Sequence, residues 1–238
     1  MNRNLLLSGG PAHDFGATSH SLSCLFDEIG IETTIVDGPA AAIQLLRSAE
    51  AGVVERFNLL TVNALHWGMD AEPYAQLRDE HGFTFEASDA AVIQHFIADG
   101  GGLLALHTAV ICFDAEPTWH ALCGASWTWG TSFHRPLGDA TVTVTDEGHR
   151  HVITEGFDDF TVRDEVYECL DANPSITPLL STATGSGVRP LLWVQDFGAG
   201  RVVTDLLGHG LESVEHPTHR AILRRAATWA SARTPISS

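Results

Sequence analysis

Lysine is absent from this 238-residue chain: its thirteen basic residues are all arginines, set against thirty acidic ones for a net charge of −17. Without lysine there is no Schiff-base or pyridoxal-phosphate chemistry and no P-loop grip on phosphates, so neither pyridoxal phosphate nor a nucleotide is expected as cofactor. Nucleic acid is an unsuitable partner, because neutralising phosphates takes a clustered basic surface that so acidic a chain hardly presents. The four cysteines, Cys24, Cys112, Cys123 and Cys169, form no C-x-x-C pair and read as reduced, core-facing thiols rather than zinc ligands. No apolar run is long enough for a membrane span, and Leu5-Leu6-Leu7 is too short for a signal peptide, so a cytoplasmic protein with no membrane partner is expected. G-x-S-x-G, H-E-x-x-H and a G-x-G-x-x-G after the first strand are also missing, which removes the main support for serine hydrolases, zincins and simple dinucleotide binders.

What is present predicts one α/β domain over residues 1–238. Residues 5–7, closed by Gly9-Gly10-Pro11, read as a buried parallel strand entering a loop. A helix over 19–29 presents Leu22, Leu25, Phe26 and Ile29 on one face, and strands over 31–36 and 57–62 follow. Ser88 is placed to cap a helix carrying Val92, Ile93, Phe96 and Ile97, stopped by Gly100-Gly101-Gly102; a fourth strand, 103–106, then ends at His107. After residue 138 the texture becomes β-rich, with strands predicted over 141–145, 162–170, 191–197 and 201–206 before a closing helix over 218–232. The sum is a mostly parallel sheet flanked by helices, with extra C-terminal strands.

Of thirteen histidines, His13, His66, His107 and His209 follow predicted strands, where parallel sheets open their ligand crevice. Taken singly, a histidine is more often a hydrogen-bonded structural residue; several at strand ends point to proton transfer or metal ligation. In Asp164-Glu165-x-Tyr167, a strand puts Glu165 and Tyr167 on one face and Asp164 on the other. Such a set can bind sugar hydroxyls, ligate a metal or act as general acid and base, or it is a solvated acidic edge. His149-x-His151 follows a turn and is a weak metal pair. Trp119, Trp127, Trp129 and Phe133 form either a sugar-stacking wall or a core edge, and Arg135 beside His134 is a candidate polar contact.

In order and spacing, Ser8-Gly9-Gly10-x-x-His13-Asp14, Gly100 to Ala109, Asp164-Glu165-x-Tyr167, Gly200-Arg201-Val202-Val203 and Leu207-Gly208-His209 together resemble the trehalose-utilisation (ThuA-like) family, over nearly the whole chain. The resemblance implies a flavodoxin-like fold of the class I glutamine amidotransferase type and a role in the catabolism of trehalose, related disaccharides or their 3-keto derivatives. The chain departs from amidotransferases where their nucleophilic cysteine stands, since His107 takes that place and Cys112 lies too far on. Glu215-His216-Pro217-Thr218 is similar to their His-Pro-Glu motif but ends in threonine, and His151-Val152-Ile153 stands where the family often has His-Pro-Ile. Glutamine hydrolysis is therefore not expected.

The expectation is an enzyme acting on a small-molecule sugar, a 3-keto-glycoside or similar. His107, Glu165 and His209 are the catalytic candidates and also the candidate ligands of a divalent Zn, Mn or Fe ion. His13 and His134 stand at the pocket rim, and Tyr167, Trp129 and Arg135 are further substrate contacts. The alternatives are a non-catalytic carbohydrate-binding or regulatory module on the same scaffold, and a hydrolase using metal-activated water. A homodimer is the default assembly.

Overall fold

The computed structural model describes residues 2–232. In chain order it contains β1 (Asn2–Gly9), α1 (Phe15–Asp27), β2 (Ile31–Asp37), α2 (Pro39–Glu50), β3 (Leu59–Ala64), α3 (Ala75–His81), α4 (Ala87–Ala98), β4 (Gly102–Leu106) and α5 (Pro117–Cys123). The β-rich part follows as β5 (Gly138–Val144), β6 (Phe160–Asp164), β7 (Pro178–Thr184), β8 (Gly187–Phe197) and β9 (Gly200–Asp205), then α6 (Leu211–Val214) and α7 (Pro217–Ser231). Nine strands form one sheet in the order β2-β1-β3-β4-β9-β8-β7-β5-β6. The first five run parallel and the rest are antiparallel. The parallel block has the flavodoxin order, with a β-rich insertion before its fifth strand.

Side-chain alternation assigns the two faces. On β1, Leu6 belongs to the core that holds Leu22, Leu25, Ile222 and Leu223 of α1 and α7, whereas Leu5 and Leu7 belong to the one that holds Leu46, Ile93, Ile97 and Leu122 of α2, α4 and α5. Because both faces are covered, β3 and β4 are buried at every position, and β4 reads as a continuous apolar run. By contrast β5 alternates between buried and open positions, as a strand with one covered face must.

Four local readings are corrected. The expected strand over 162–170 is broken: β6 stops at Asp164, whose carboxylate accepts the N–H of Glu165 at 2.7 Å and so competes with the ladder, and Cys169 has φ +56°. Helix α4 begins after Glu86, whose side chain makes no capping hydrogen bond, and the Ser88 hydroxyl, inside the first turn, accepts from Arg47. Cys24 and Cys169 are exposed, and Cys112 and Cys123 alone of the four are core thiols. Finally, α2, opened by Pro39 in its first turn, the short helices α3, α5 and α6, and strand β7 are additions to the predicted elements.

Candidate functional site

The carboxyl ends of β1, β4 and β9 and the break after β6 bring four side chains together. His107 stands directly after β4 with φ +45°, a left-handed conformation that lifts its ring over the sheet edge. His13 ends the loop after β1. That loop needs glycine at positions 9 and 10, where φ is +108° and +117° and an added Cβ would run into the Asp37 carboxylate and the Leu65 carbonyl. His209 comes from the turn after β9 and Glu165 from the strand break. One donor atom from each of His13, His107, Glu165 and His209 lies within 4.8 Å of all the others. The imidazole centroids stand 4.7 Å apart for His13 and His209, and 5.3 Å for His13 and His107.

Glu165 is the hub. Its Oε2 lies 3.2 Å from His209 Nδ1 and 3.7 Å from His107 Nε2, and its Oε1 lies 3.2 Å from His134 Nδ1. Burial alone would raise its pKa, but His107, His209 and His134 together hold it below the usual carboxylate range. Burial would likewise lower His107, yet Glu165, Asp164 and the Leu206 carbonyl leave it above an ordinary histidine. His13 goes the other way: burial and the neighbouring His107 and His209 push it down to about 4, so it is a neutral imidazole at pH 7.

These donors fit a divalent cation. His107 Nε2, His209 Nδ1 and both ring nitrogens of His13 are buried without a hydrogen-bond partner, which is costly unless something electropositive meets the one lone pair that each neutral ring presents. His209 Nδ1 is near Glu165 but out of line for a hydrogen bond. Three imidazoles and a carboxylate are a donor set suited to zinc or iron. His107 Nδ1 is committed to the Leu206 carbonyl at 2.8 Å, the kind of outer contact that orients a ligating imidazole.

The other sequence candidates divide. Tyr167 is buried, packs on the His107 ring at 4.8 Å and has its phenol pKa pushed well up by burial. Trp127 packs on Tyr167 at 5.4 Å, and Trp129, 41% exposed, lies against Trp67 and Tyr74. The indole N–H of Trp129 is held by Asp114 at 2.9 Å, so an aromatic wall does extend from the cluster, and Trp67 and Tyr74 join it without having been foreseen. Trp119 is a core residue donating to Ala109. Arg135 turns to Glu168, which it grips from Nε at 2.9 Å and Nη2 at 2.8 Å. His66 is buried and bonded to the His81 carbonyl, outside the four-residue set. His151 packs on Trp229 and His216 stacks on Phe160, both apart from the cluster. A continuous strand would turn Asp164 to the face away from Glu165. With the strand broken there, its buried carboxylate instead lies beneath the cluster, 3.9 Å from His107 Nδ1.

Solved structures with this fold include a putative ThuA-like protein from Parabacteroides merdae, with TM-score 0.74 and 16% identity over 97% of this chain and 90% of that one. A second, from Bacteroides uniformis, has TM-score 0.69 and 15% identity over 96% and 91% of the two chains. A protein from Salmonella typhimurium described as cytoplasmic has TM-score 0.64 and 13% identity over 96% and 99%. No protein of curated function matches the chain. No helix among the described residues is long and apolar enough to cross a membrane. Residues 51–230, spanning three of the four clustered side chains, match the ThuA family model, described as trehalose utilisation, and the chain belongs to that family.

Proposed function

We propose that this chain is a cytoplasmic sugar-catabolic enzyme that acts on trehalose-related or 3-keto-glycoside substrates by histidine and glutamate acid–base chemistry. The observation that carries the reading is the convergence of His13, His107, Glu165 and His209 within 4.8 Å, with their inward-facing ring nitrogens unpartnered. Family membership supports a trehalose-related role, and the wall of Trp127 and Trp129 supports a sugar ring as the ligand.

A ketone at C3 acidifies the proton on C2. The Glu165–His134 pair, in contact at 3.2 Å with His134 half open to solvent, takes that proton. The C2–H electrons form an enediolate; they then expel the C1 substituent, which leaves with a proton, or they recover a proton on the other face. The first path is elimination, to which water addition gives net hydrolysis, and the second is isomerisation. A divalent Zn, Mn or Fe ion held by His13, His107, His209 and Glu165 would supply the positive charge that stabilises the enediolate oxygen. Tyr167 fixes the His107 ring from behind and excludes water from that side.

The test is incubation with 3-ketotrehalose and 3-keto-glucosides in deuterated water, followed by NMR. Deuterium entering at C2, with or without loss of the C1 group, is expected. Absence of both exchange and product overturns the mechanism.

A further inference from the structure

The geometry points to Asp164 as the positioning residue of this centre: a buried carboxylate that sets the separation of two ligand-bearing segments through their backbones and lies against the ring of a third ligand. It rests on the metal-centre reading above. Its Oδ1 accepts the N–H of Glu165 at 2.7 Å and of His209 at 3.3 Å, and its Oδ2 accepts the N–H of Gly208 at 2.7 Å. The same carboxylate lies 3.9 Å from Nδ1 of His107, the nitrogen turned away from the cluster. One group therefore fastens the strand break that carries Glu165 to the turn that carries His209, and lies against the ring of His107. No local sequence pairing supplies this link, since Asp164 and His209 are 45 residues apart.

Charge gives a second reason. Three neutral imidazoles with Glu165 leave a dication with one uncompensated positive charge in a buried place, and Asp164 supplies the second negative charge without taking a coordination position. A neutral amide cannot do this, and in Asp164→Asn an N–H₂ must also face one of the three backbone N–H groups. Asp205 is the internal comparison. It is equally buried and holds Leu207 N and the His219 ring, but it accepts no N–H from a ligand-bearing residue.

The experiment titrates wild type, Asp164→Asn and Asp205→Asn with cobalt(II), read by calorimetry and by the visible absorption of the bound ion. Amide hydrogen exchange of the metal-free proteins is followed in parallel. Asp164→Asn is expected to bind 10- to 100-fold more weakly with an altered spectrum, and Asp205→Asn to bind as wild type does even if less stable. Wild-type affinity in Asp164→Asn overturns the proposal. If wild type takes up no cobalt, the metal reading fails and the amides decide. Glu165, Gly208 and His209 protected in wild type and released in Asp164→Asn uphold the positioning role; fast exchange of all three in wild type overturns it, also where the variant fails to fold.

Discussion

His107 Nδ1 donates to the carbonyl oxygen of Leu206 at 2.8 Å, across 99 residues of sequence. A carbonyl can only accept, so Nδ1 bears the hydrogen and Nε2 is the nitrogen presented to Glu165 and the other imidazoles. The ring is turned by this bond and by a backbone held at φ +45°.

That backbone makes position 107 sensitive to branching as well as to chemistry. Asparagine tolerates the left-handed region and valine does not. His107→Val is expected to unfold in urea with about 1–3 kcal/mol less stability than His107→Asn, while both lose metal uptake. Equal stability of the two variants would show that the turn relaxes freely.

Glu165→Gln keeps the volume of the hub but removes its charge and its basicity. C2 exchange is expected to fall by about 10²- to 10⁴-fold, the usual span for a positioned acid or base. Circular dichroism should be unchanged, because the site is built from strand ends rather than from the core.

The wall makes a separate prediction. Trp129 is 41% exposed, lies against Trp67 and Tyr74 and is tethered by Asp114, so Trp129→Ala should cost about 0.5–3 kcal/mol of stability without unfolding the protein. Sugar affinity, followed by calorimetry with an unreacted disaccharide, should weaken about 5- to 10-fold for the loss of one stacking face.

His219 and Asp205 give an alkaline limb. Both are fully buried, with His219 Nε2 3.0 Å from Asp205 Oδ2. Burial lowers the His219 pKa, but Asp205, the Ser213 carbonyl and Asp164 carry it above the unfolded value of 6.5. A raised folded pKa means the stabilisation is complete below pH 6.5 and is lost as pH rises through the folded value. Urea midpoints should fall from pH 6 towards pH 9, and Asp205→Asn should flatten that slope.

Glu168 gives the acid limb. Burial raises its pKa, but Arg189, Ser186 and Arg135 bring it down to about 2 from 4.5. Its contribution is therefore present above pH 4.5 and is lost as pH falls towards 2. Glu168→Gln should be less stable at neutral pH and should show a shallower acid transition by fluorescence.

The parallel half of the sheet was legible because its signals are local. Apolar runs such as 103–106, glycine stops such as Gly100 to Gly102 and the apolar face of α7 depend on neighbours within a turn or a strand. Helix α2 was missed because Ala40, Ala41 and Ala42 blur the contrast between its faces, although Pro39 marks its start. The break at Asp164 was missed because its cause is a side chain taking a backbone N–H in place of the ladder, which leaves no mark in an alternating pattern. Among site residues, His107 and His209 were visible as strand ends, whereas Asp164 was assigned to the wrong face.

By itself the sequence determined the strand–helix alternation, the absence of lysine chemistry and the placing of histidines at strand ends, since each follows from residue type and near-neighbour spacing. The tertiary structure decided that His13, His107, Glu165 and His209 share one place, that Arg135 belongs to Glu168 and His66 to its own environment, and that Asp164 lies under the cluster. The physical reason is range. Periodicity and capping act over a few residues, whereas the meeting of strand ends depends on sheet order and register, which long-range hydrogen bonds and packing set together.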